Sequence, residues 1–215
     1  MRKLPKPIQA FHQSVYSSIR EGLQFAISRQ ELMGSYFVDF MAMVFAMPTA
    51  LFPSMAEMYG GAKALGLLYA APAVGSLLIA FFSRWTSNVK SDGKAIAISA
   101  GLWGLAMIGF GLSSSLFLAL LFLVLSGSFD AISGIFRSSL WNHTIPTEKR
   151  GRLAGIEMLS YLSGPRLGDA RAGLCASFIG TAATITSGGI LCVIAVALCC
   201  VCMPRFWDYT SSSNN

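Results

Sequence analysis

Residues 137–173, RSSLWNHTIPTEKRGRLAGIEMLSYLSGPRLGDARAG, indicate most directly what kind of protein this is. They join a hydrophilic turn at 146–152 to a long apolar segment that contains three charged residues, Arg166, Asp169 and Arg171. A charge at the centre of a bilayer costs about 3 kcal/mol on insertion scales, so such residues are normally paired or face a polar interior. A basic turn that leads into a charged membrane helix is therefore typical of a transporter.

Glycines in the same segment predict close helix packing. Gly164 and Gly168 form a G-x-x-x-G step, which lets a second helix approach because neither residue has a Cβ atom. Pro165 lies beside Gly164 and weakens the helix there, as in transporter helices that bend during alternating access.

The composition of the whole chain indicates an integral membrane protein. Its 215 residues are 54% hydrophobic and only 12% charged, whereas soluble domains have about 25% charged residues. The net charge of +6 does not indicate nucleic-acid binding, because the basic residues lie in short turns between apolar runs and do not alternate with aromatic residues. The expected partner is the lipid bilayer and not nucleic acid.

No motif for enzyme chemistry is present in the sequence. There is no Walker loop, no nucleophile elbow and no H-E-x-x-H motif, and His12 and His143 are isolated in polar segments. We therefore expect no catalytic residue, no cofactor and no metal site. The five cysteines are interpreted as small side chains that face lipid or other helices: Cys175, Cys192, Cys199, Cys200 and Cys202.

Six apolar runs predict an all-α membrane protein with six transmembrane helices in a domain at 32–205. Each run is long enough to cross about 30 Å of hydrocarbon at about 1.5 Å per residue. A basic arm and an amphipathic helix are expected at 1–31, and a cytosolic tail at 206–215. The expected spans are 32–55, 64–82, 95–112, 116–136, 153–179 and 185–203.

The amphipathic helix is expected at about 18–31, with Phe25 as an exception on its polar side. Two interpretations remain open, a helix at the membrane surface and a helix packed on a cytosolic neighbour. The residues of the apolar face are Ile19, Leu23, Ala26 and Ile27.

The distribution of lysine and arginine predicts the orientation of the spans. With an even number of spans both termini lie on one side, and thirteen of the sixteen lysines and arginines fall on that side. Lys63 is alone on the other side, and Arg166 and Arg171 lie within a span. Because cytoplasmic loops carry the excess of these residues, we expect both termini in the cytosol and the protein in the plasma (inner) membrane.

Two carboxylates lie at similar depths in the first and fourth expected spans. Asp39 is seven residues inside the first span, about 10 Å from its cytosolic end, and Asp130 is seven residues before Arg137 on one face of the fourth. If the two carboxylates share a cavity, they are candidates for proton coupling or cation recognition. The alternative is a structural ion pair that locks helices together near the cytosolic surface.

The fifth expected span carries further candidates for the substrate or proton pathway. Arg166 and Asp169 are three residues apart and can pair on a helix, although an Arg166 that faces a pore would recognise an anionic substrate. Arg171 points away from this pair and is nearer the outer end, from which its long side chain could snorkel to the surface. Glu157 and Tyr161 either line an access site at the cytosolic mouth or lie at the membrane interface.

Several segments resemble one family of transporters. They are MPTALFP at 47–53, LYAAPAVG at 68–75, the turn at 145–152 with the LAGIE that follows it, GPRLGD at 164–169, and PRFW at 204–207. Over about residues 18–209 the chain resembles the C-terminal half of the enterobactin-exporter branch of the major facilitator superfamily. The resemblance implies one half of a twelve-helix fold and proton-driven efflux of small molecules, siderophores or amphipathic drugs, across the plasma membrane.

The resemblance also implies a partner. The superfamily has two six-helix halves with the substrate between them, so the partner is a missing N-terminal half or a second copy of this chain. The acidic and basic loop signature of the superfamily is degenerate at 83–90, so its gating ion pair is not expected here. The turn at 146–152 is retained and marks Glu148, Arg150 and Arg152 as a basic cytosolic latch.

Two functions follow from these observations. The favoured one is the C-terminal half of an exporter in which Asp39, Asp130, Arg166 and Asp169 face the cavity. The alternative is a truncated, non-transporting membrane protein or interaction partner, in which the charges only orient and pack helices.

Overall fold

The structure, a computed structural model, describes residues 15–89 and 91–210, and every regular element in these ranges is helical. The predicted all-α fold is thus confirmed, while residues 1–14 of the expected arm and residues 211–215 of the expected tail lie outside the described residues. Two short 3-10 helices are Thr49–Leu51 and Ser83–Asn88. The α-helices are α1 (Val15–Ser28), α2 (Gln30–Ala46), α3 (Phe52–Met58), α4 (Ala62–Phe82), α5 (Asp92–Gly111), α6 (Leu116–Thr144), α7 (Thr147–Ile179), α8 (Thr181–Cys202) and α9 (Pro204–Trp207).

Within the described residues, five helical segments are long and apolar enough to cross a membrane. They are Gln30–Met58, which combines α2 and α3, and the helices α4, α5, α6 and α8, and they coincide with five of the six expected spans. The remaining expected span is α7, which has 33 residues but carries three charges within six positions, at Arg166, Asp169 and Arg171. The structure therefore supports a multi-pass membrane protein with five apolar helices.

The first of these segments is interrupted at a proline. α2 ends at Ala46, Met47 is extended, and Pro48 precedes the turn Thr49–Leu51 that leads into α3. The residue before a proline avoids the helical region, which explains why α2 ends just before Met47. The interruption leaves backbone groups of both helix ends to be bonded by neighbouring elements.

Glycines let helices cross in direct backbone contact. Where α4 crosses α6, a Cβ atom at Gly75 would overlap the carbonyl oxygen of Val124, and one at Gly127 would overlap that of Pro72. Ser76 Oγ donates a hydrogen bond of 3.0 Å to the carbonyl of Gly127 at the same crossing. Such close contact is what stabilises helix pairs in lipid, where no hydrophobic force drives the helices together.

The predicted close approach at Gly164 and Gly168 is confirmed. Both glycines are buried where α7 packs on α2, and a Cβ atom at either would press on Met43. α2 also packs on α8 and α5, so it connects α7 to the rest of the bundle.

α1 packs along the first turns of α7. Ala26 is buried, Glu21 forms an ion pair with Arg152, and Lys149 lies 4.4 Å from the ring centroid of Phe25. This contact explains why an aromatic residue interrupts the polar side of the helix. α1 therefore packs on α7 through the side that carries Glu21 and Phe25. Two apolar residues of its predicted face, Leu23 and Ile27, stay exposed.

The structure places the first residues of the expected tail inside the bundle. The side chain of Phe206 is fully buried, and it fills the space that Gly34 of α2 leaves open. A Cβ atom at Gly93 of α5 would overlap the carbonyl oxygen of the same phenylalanine. Residues 204–207 are therefore a helical part of the bundle, and the expected boundary at 205 falls within that helix.

Candidate functional site

An ion pair between Asp39 of α2 and Arg137 of α6 lies inside the helix bundle. The two side chains are only 7% and 4% exposed, and the guanidinium carbon lies 5.8 Å from the ring centroid of Tyr161 on α7. Removing two ions from water is costly, and their attraction offsets this cost only while both partners remain. Of the two interpretations of Asp39 that the sequence left open, the structure thus shows the second, an ion pair between helices.

A cavity of about 160 Å³ lies between α2, α6 and the first turns of α7. Tyr36 and Trp141 line it with stacked rings whose centroids are 4.9 Å apart, and Glu157 lines its α7 side. The hydroxyl of Tyr36 and the indole N–H of Trp141 are buried without a hydrogen-bond partner among the described residues. Because the cavity has room for several water molecules, water is the natural partner of these groups.

Asp169 of α7 bonds the turn that follows the interruption of the first span. One carboxylate oxygen accepts hydrogen bonds from Thr49 Oγ1 and from the backbone N–H of Ala50, both at 2.8 Å. A carboxylate is favourable at this position because it satisfies a free N–H group at the start of a helix. The expected pair with Arg166 is not formed, and Arg166 is exposed and has no ion partner within the described part of the chain.

Arg171 bonds the other side of the interruption. Its Nε donates to the carbonyl of Val44 at 3.1 Å, and its Nη2 donates to the carbonyl of Phe45 at 2.8 Å. These carbonyls lie at the end of α2, where a cation is favourable. The prediction that Arg171 snorkels to the surface is wrong, because the interrupted helix offers its guanidinium two acceptors inside the bundle.

A cavity of about 230 Å³ opens beside the interruption. Residues 46–49 form one wall, and α4, α5 and α6 form the others. Asp130 is the one carboxylate among the described residues that line it. The rest of the lining is mainly apolar and aromatic, and includes Phe52, Tyr69, Trp103, Met107 and Leu123.

The structure separates the two carboxylates that the sequence placed at one depth. Asp130 lines the cavity beside the interruption, whereas Asp39 is buried against Arg137, about 10 Å further along α6. Because Asp130 and Arg137 are seven residues apart, they share one face of that helix. One carboxylate is therefore accessible from a cavity, and the other belongs to a buried ion pair.

The two arginines of the expected latch join neighbouring elements. Arg150 donates to two backbone carbonyls at the end of α6, at 3.0 and 3.4 Å, and Arg152 pairs with Glu21 of α1. Glu148 is exposed, and its carboxylate accepts a hydrogen bond from the adjacent Thr147. The turn therefore holds α6, α7 and α1 together through its arginines.

Within residues 15–89 and 91–210, no three His, Cys, Asp or Glu side chains meet in a group that could hold a metal ion. The five cysteines are free thiols. Cys192 and Cys199 are buried within the bundle.

The residues that line the cavity differ in how well the sequence indicates them. Thr49 comes directly after Pro48, and a hydroxyl beside a proline inside an apolar run does suggest an interrupted helix. Tyr69 and Trp103 lie in apolar runs and have no neighbours that mark them as lining residues.

Comparison with known proteins identifies no family for this chain. No family model, no curated protein and no solved structure matches it.

Proposed function

We propose that this chain is one half of a proton-driven exporter of small amphipathic cations, and that Asp130 binds the cation or a proton. The interrupted span carries this proposal. Its two ends are bonded by Asp169 and Arg171, and they form one wall of the cavity that contains Asp130. Transporters build their binding sites at discontinuous helices, because unwound backbone offers polar groups near the bilayer midplane.

The depth of the cavity supports a site within the membrane. Ala46 lies 16 residues from the start of α2, and Asp130 lies 14 residues from the end of α6. These separations correspond to about 24 and 21 Å from the side of the bundle where the turn at 146–152 lies. Pro48 supplies a point between α2 and α3 where the span can bend as the cavity opens to one side or the other.

The lining of the cavity favours an amphipathic cation as substrate. Tyr69 and Trp103 offer aromatic faces, which attract cations, and Asp130 offers a negative charge. The described lining contains no lysine or arginine, so an anionic siderophore has no basic group to bind there. Of the two substrate classes that the resemblance implies, the chemistry of this cavity favours the amphipathic drugs.

The topology of the proposed half has six spans, in which α7, the fifth in chain order, crosses the membrane together with the five apolar segments. Two charged residues of α7, Asp169 and Arg171, bond to the backbone of the interrupted span, which lowers the cost of placing them in lipid. The bias of lysine and arginine supports cytosolic termini in the plasma membrane. The resemblance to the C-terminal half of a major facilitator exporter supports a complementary half that supplies the opposite wall of the cavity.

The buried pair of Asp39 and Arg137 favours a second candidate, a membrane protein that does not transport. In that case the charges pack and orient helices, and the chain acts through its contacts with a partner. Neutralising Asp130 would then change the amount of folded protein and not the flux of a substrate.

Flux measured in vesicles tests the proposal. Proteoliposomes that contain the purified chain are loaded with a fluorescent amphipathic cation, and a proton gradient is imposed across the membrane. We expect gradient-dependent movement of the cation. We expect Asp130→Asn to slow it at least about tenfold, the factor for roughly 1.4 kcal/mol of lost charge pairing.

Asp208→Asn is the matched control, because Asp208 is an exposed carboxylate beside Lys94, away from the cavity. Its flux should equal that of the unchanged chain. Equal flux in Asp130→Asn, or no flux in an unchanged chain that is folded and paired with a second copy, would contradict the proposal. A lower yield of Asp130→Asn, with no flux from either the variant or the unchanged chain, would support the second candidate.

A further inference from the structure

The helices α4 and α7 leave most of their surface uncovered. Only four of the 21 residues of α4 and four of the 33 residues of α7 are buried. Large apolar side chains are exposed on both helices, among them Leu77 of α4 and Leu162 of α7. Lipid can cover such side chains, so they do not by themselves require a protein partner.

Both helices reach the cavity beside the interrupted span. Tyr69 Oη of α4 donates to the carbonyl of Thr49 at 3.4 Å, and Asp169 of α7 accepts from the hydroxyl of the same threonine. The exposed residues of α4 and α7 on either side of Thr49 therefore form one surface around the mouth of the cavity, which we call the open face.

Two opposite charges lie at the open face and at the cavity that it surrounds, and neither forms a direct ion pair in the described part of the chain. Asp130 does interact electrostatically with Arg137, on the same face of α6. Arg166 is exposed one turn before Asp169, and Asp130 is exposed at the cavity. Both lie within about one or two helical turns of the depth of Thr49. Lipid stabilises a charge at this depth poorly, so a further group of opposite sign close to either residue is favourable.

We propose that a second copy of this chain packs on the open face with two-fold symmetry, and that Arg166 of each copy pairs with Asp130 of the other. In a two-fold interface, every contact between two different residues occurs twice, once in each direction. A chain that carries both a positive and a negative charge on its interface can therefore pair with a second copy of itself. The dimer also gives the cavity its missing wall. A cation or proton that reaches Asp130 would compete with the arginine for the carboxylate, and the dimer itself does not require transport.

The packing surface of α4 suits the approach of a second helix. Gly66 and Ala70 are exposed and four residues apart, and a Cβ atom at Gly66 would meet nothing within 4 Å. A small-x-x-x-small step lets two membrane helices come close. In the proposed dimer, α7 of one copy lies along this step of the other.

The mass of the purified chain in detergent and in nanodiscs, measured by light scattering, tests the dimer. We expect twice the chain mass of 23.0 kDa. Arg166→Asp and Asp130→Arg should each raise the dissociation constant of the dimer at least about tenfold. The double variant R166D/D130R reverses both charges and should restore the dimer.

Arg205→Asp is the matched control, because Arg205 is an exposed arginine of α9 away from the open face. Its mass should be that of the unchanged chain. A monomeric unchanged chain, or a double variant that stays as weak as the single ones, would overturn the proposal. A dimer without cation flux would support this inference while contradicting the proposed transport, so the two failures are distinguishable.

Discussion

Asp39→Ala is expected to lower the free energy of unfolding by about 3–5 kcal/mol, because it leaves the Arg137 guanidinium buried without its counter-ion. Arg137 is only 4% exposed, so water cannot replace the lost carboxylate. The measurement is thermal unfolding in detergent, followed with a thiol-reactive dye that reports exposure of the buried Cys192 and Cys199. Asp208→Ala removes an exposed carboxylate and should leave the transition unchanged.

A double variant separates the two roles proposed for Asp39. Replacing Asp39 with Leu and Arg137 with Met removes both charges together, and stability should return to within about 1–2 kcal/mol of the unchanged chain. If the pair is structural, the double variant also keeps cation flux. A stable double variant without flux would mean that the pair takes part in coupling, and an Asp39→Ala chain with unchanged stability would contradict the buried ion pair.

Gly127→Ala is expected to cost about 3 kcal/mol, near the upper end for overpacking, because the new methyl group meets backbone rather than a movable side chain. The atom it would overlap is the carbonyl oxygen of Pro72, at the crossing of α4 and α6. The same crossing forms a wall of the cavity, so flux should fall together with stability. The same thermal unfolding assay measures the change.

Gly101→Ala is the control for the glycine experiment. Gly101 lies in α5, and a Cβ atom there meets nothing within 4 Å. Alanine should therefore keep the fold or stabilise it by about 0.5 kcal/mol through helix propensity. Equal effects of the two substitutions would show that α4 and α6 do not cross in backbone contact at Gly127.

The helices could be predicted well from the sequence, because apolar runs separated by polar turns reflect the thickness of the bilayer. α5 was expected at 95–112 and is Asp92–Gly111. The start of α7 was expected at 153, yet the helix begins at Thr147, within the hydrophilic turn. Hydropathy marks where a helix enters lipid, whereas backbone hydrogen bonding decides where the helix begins.

The partners of the charged residues could not be predicted to the same extent. Spacing on one helix suggested that Arg166 and Asp169 pair, but Asp169 bonds the interrupted span and Arg171 bonds its other end. Those partners depend on how α7 packs against α2, which local spacing does not specify. For Asp39, the rarity of charges in apolar runs was enough to suggest a structural ion pair between helices, but not that Arg137 is the partner.

The interrupted span is expected to border a water-accessible cavity that contains Asp130. Cysteine labelling tests this most directly, in a chain whose five native cysteines are replaced by alanine and which carries Asp130→Cys or Leu125→Cys. Leu125 lies on α6 five residues before position 130 and on a different face of the helix. Its side chain is exposed on the surface of the helix bundle. A charged, water-soluble maleimide added to vesicles should label the cysteine at 130 and leave the lipid-facing one at 125 unmodified. An unlabelled cysteine at 130, or equal labelling at both positions, would contradict the account.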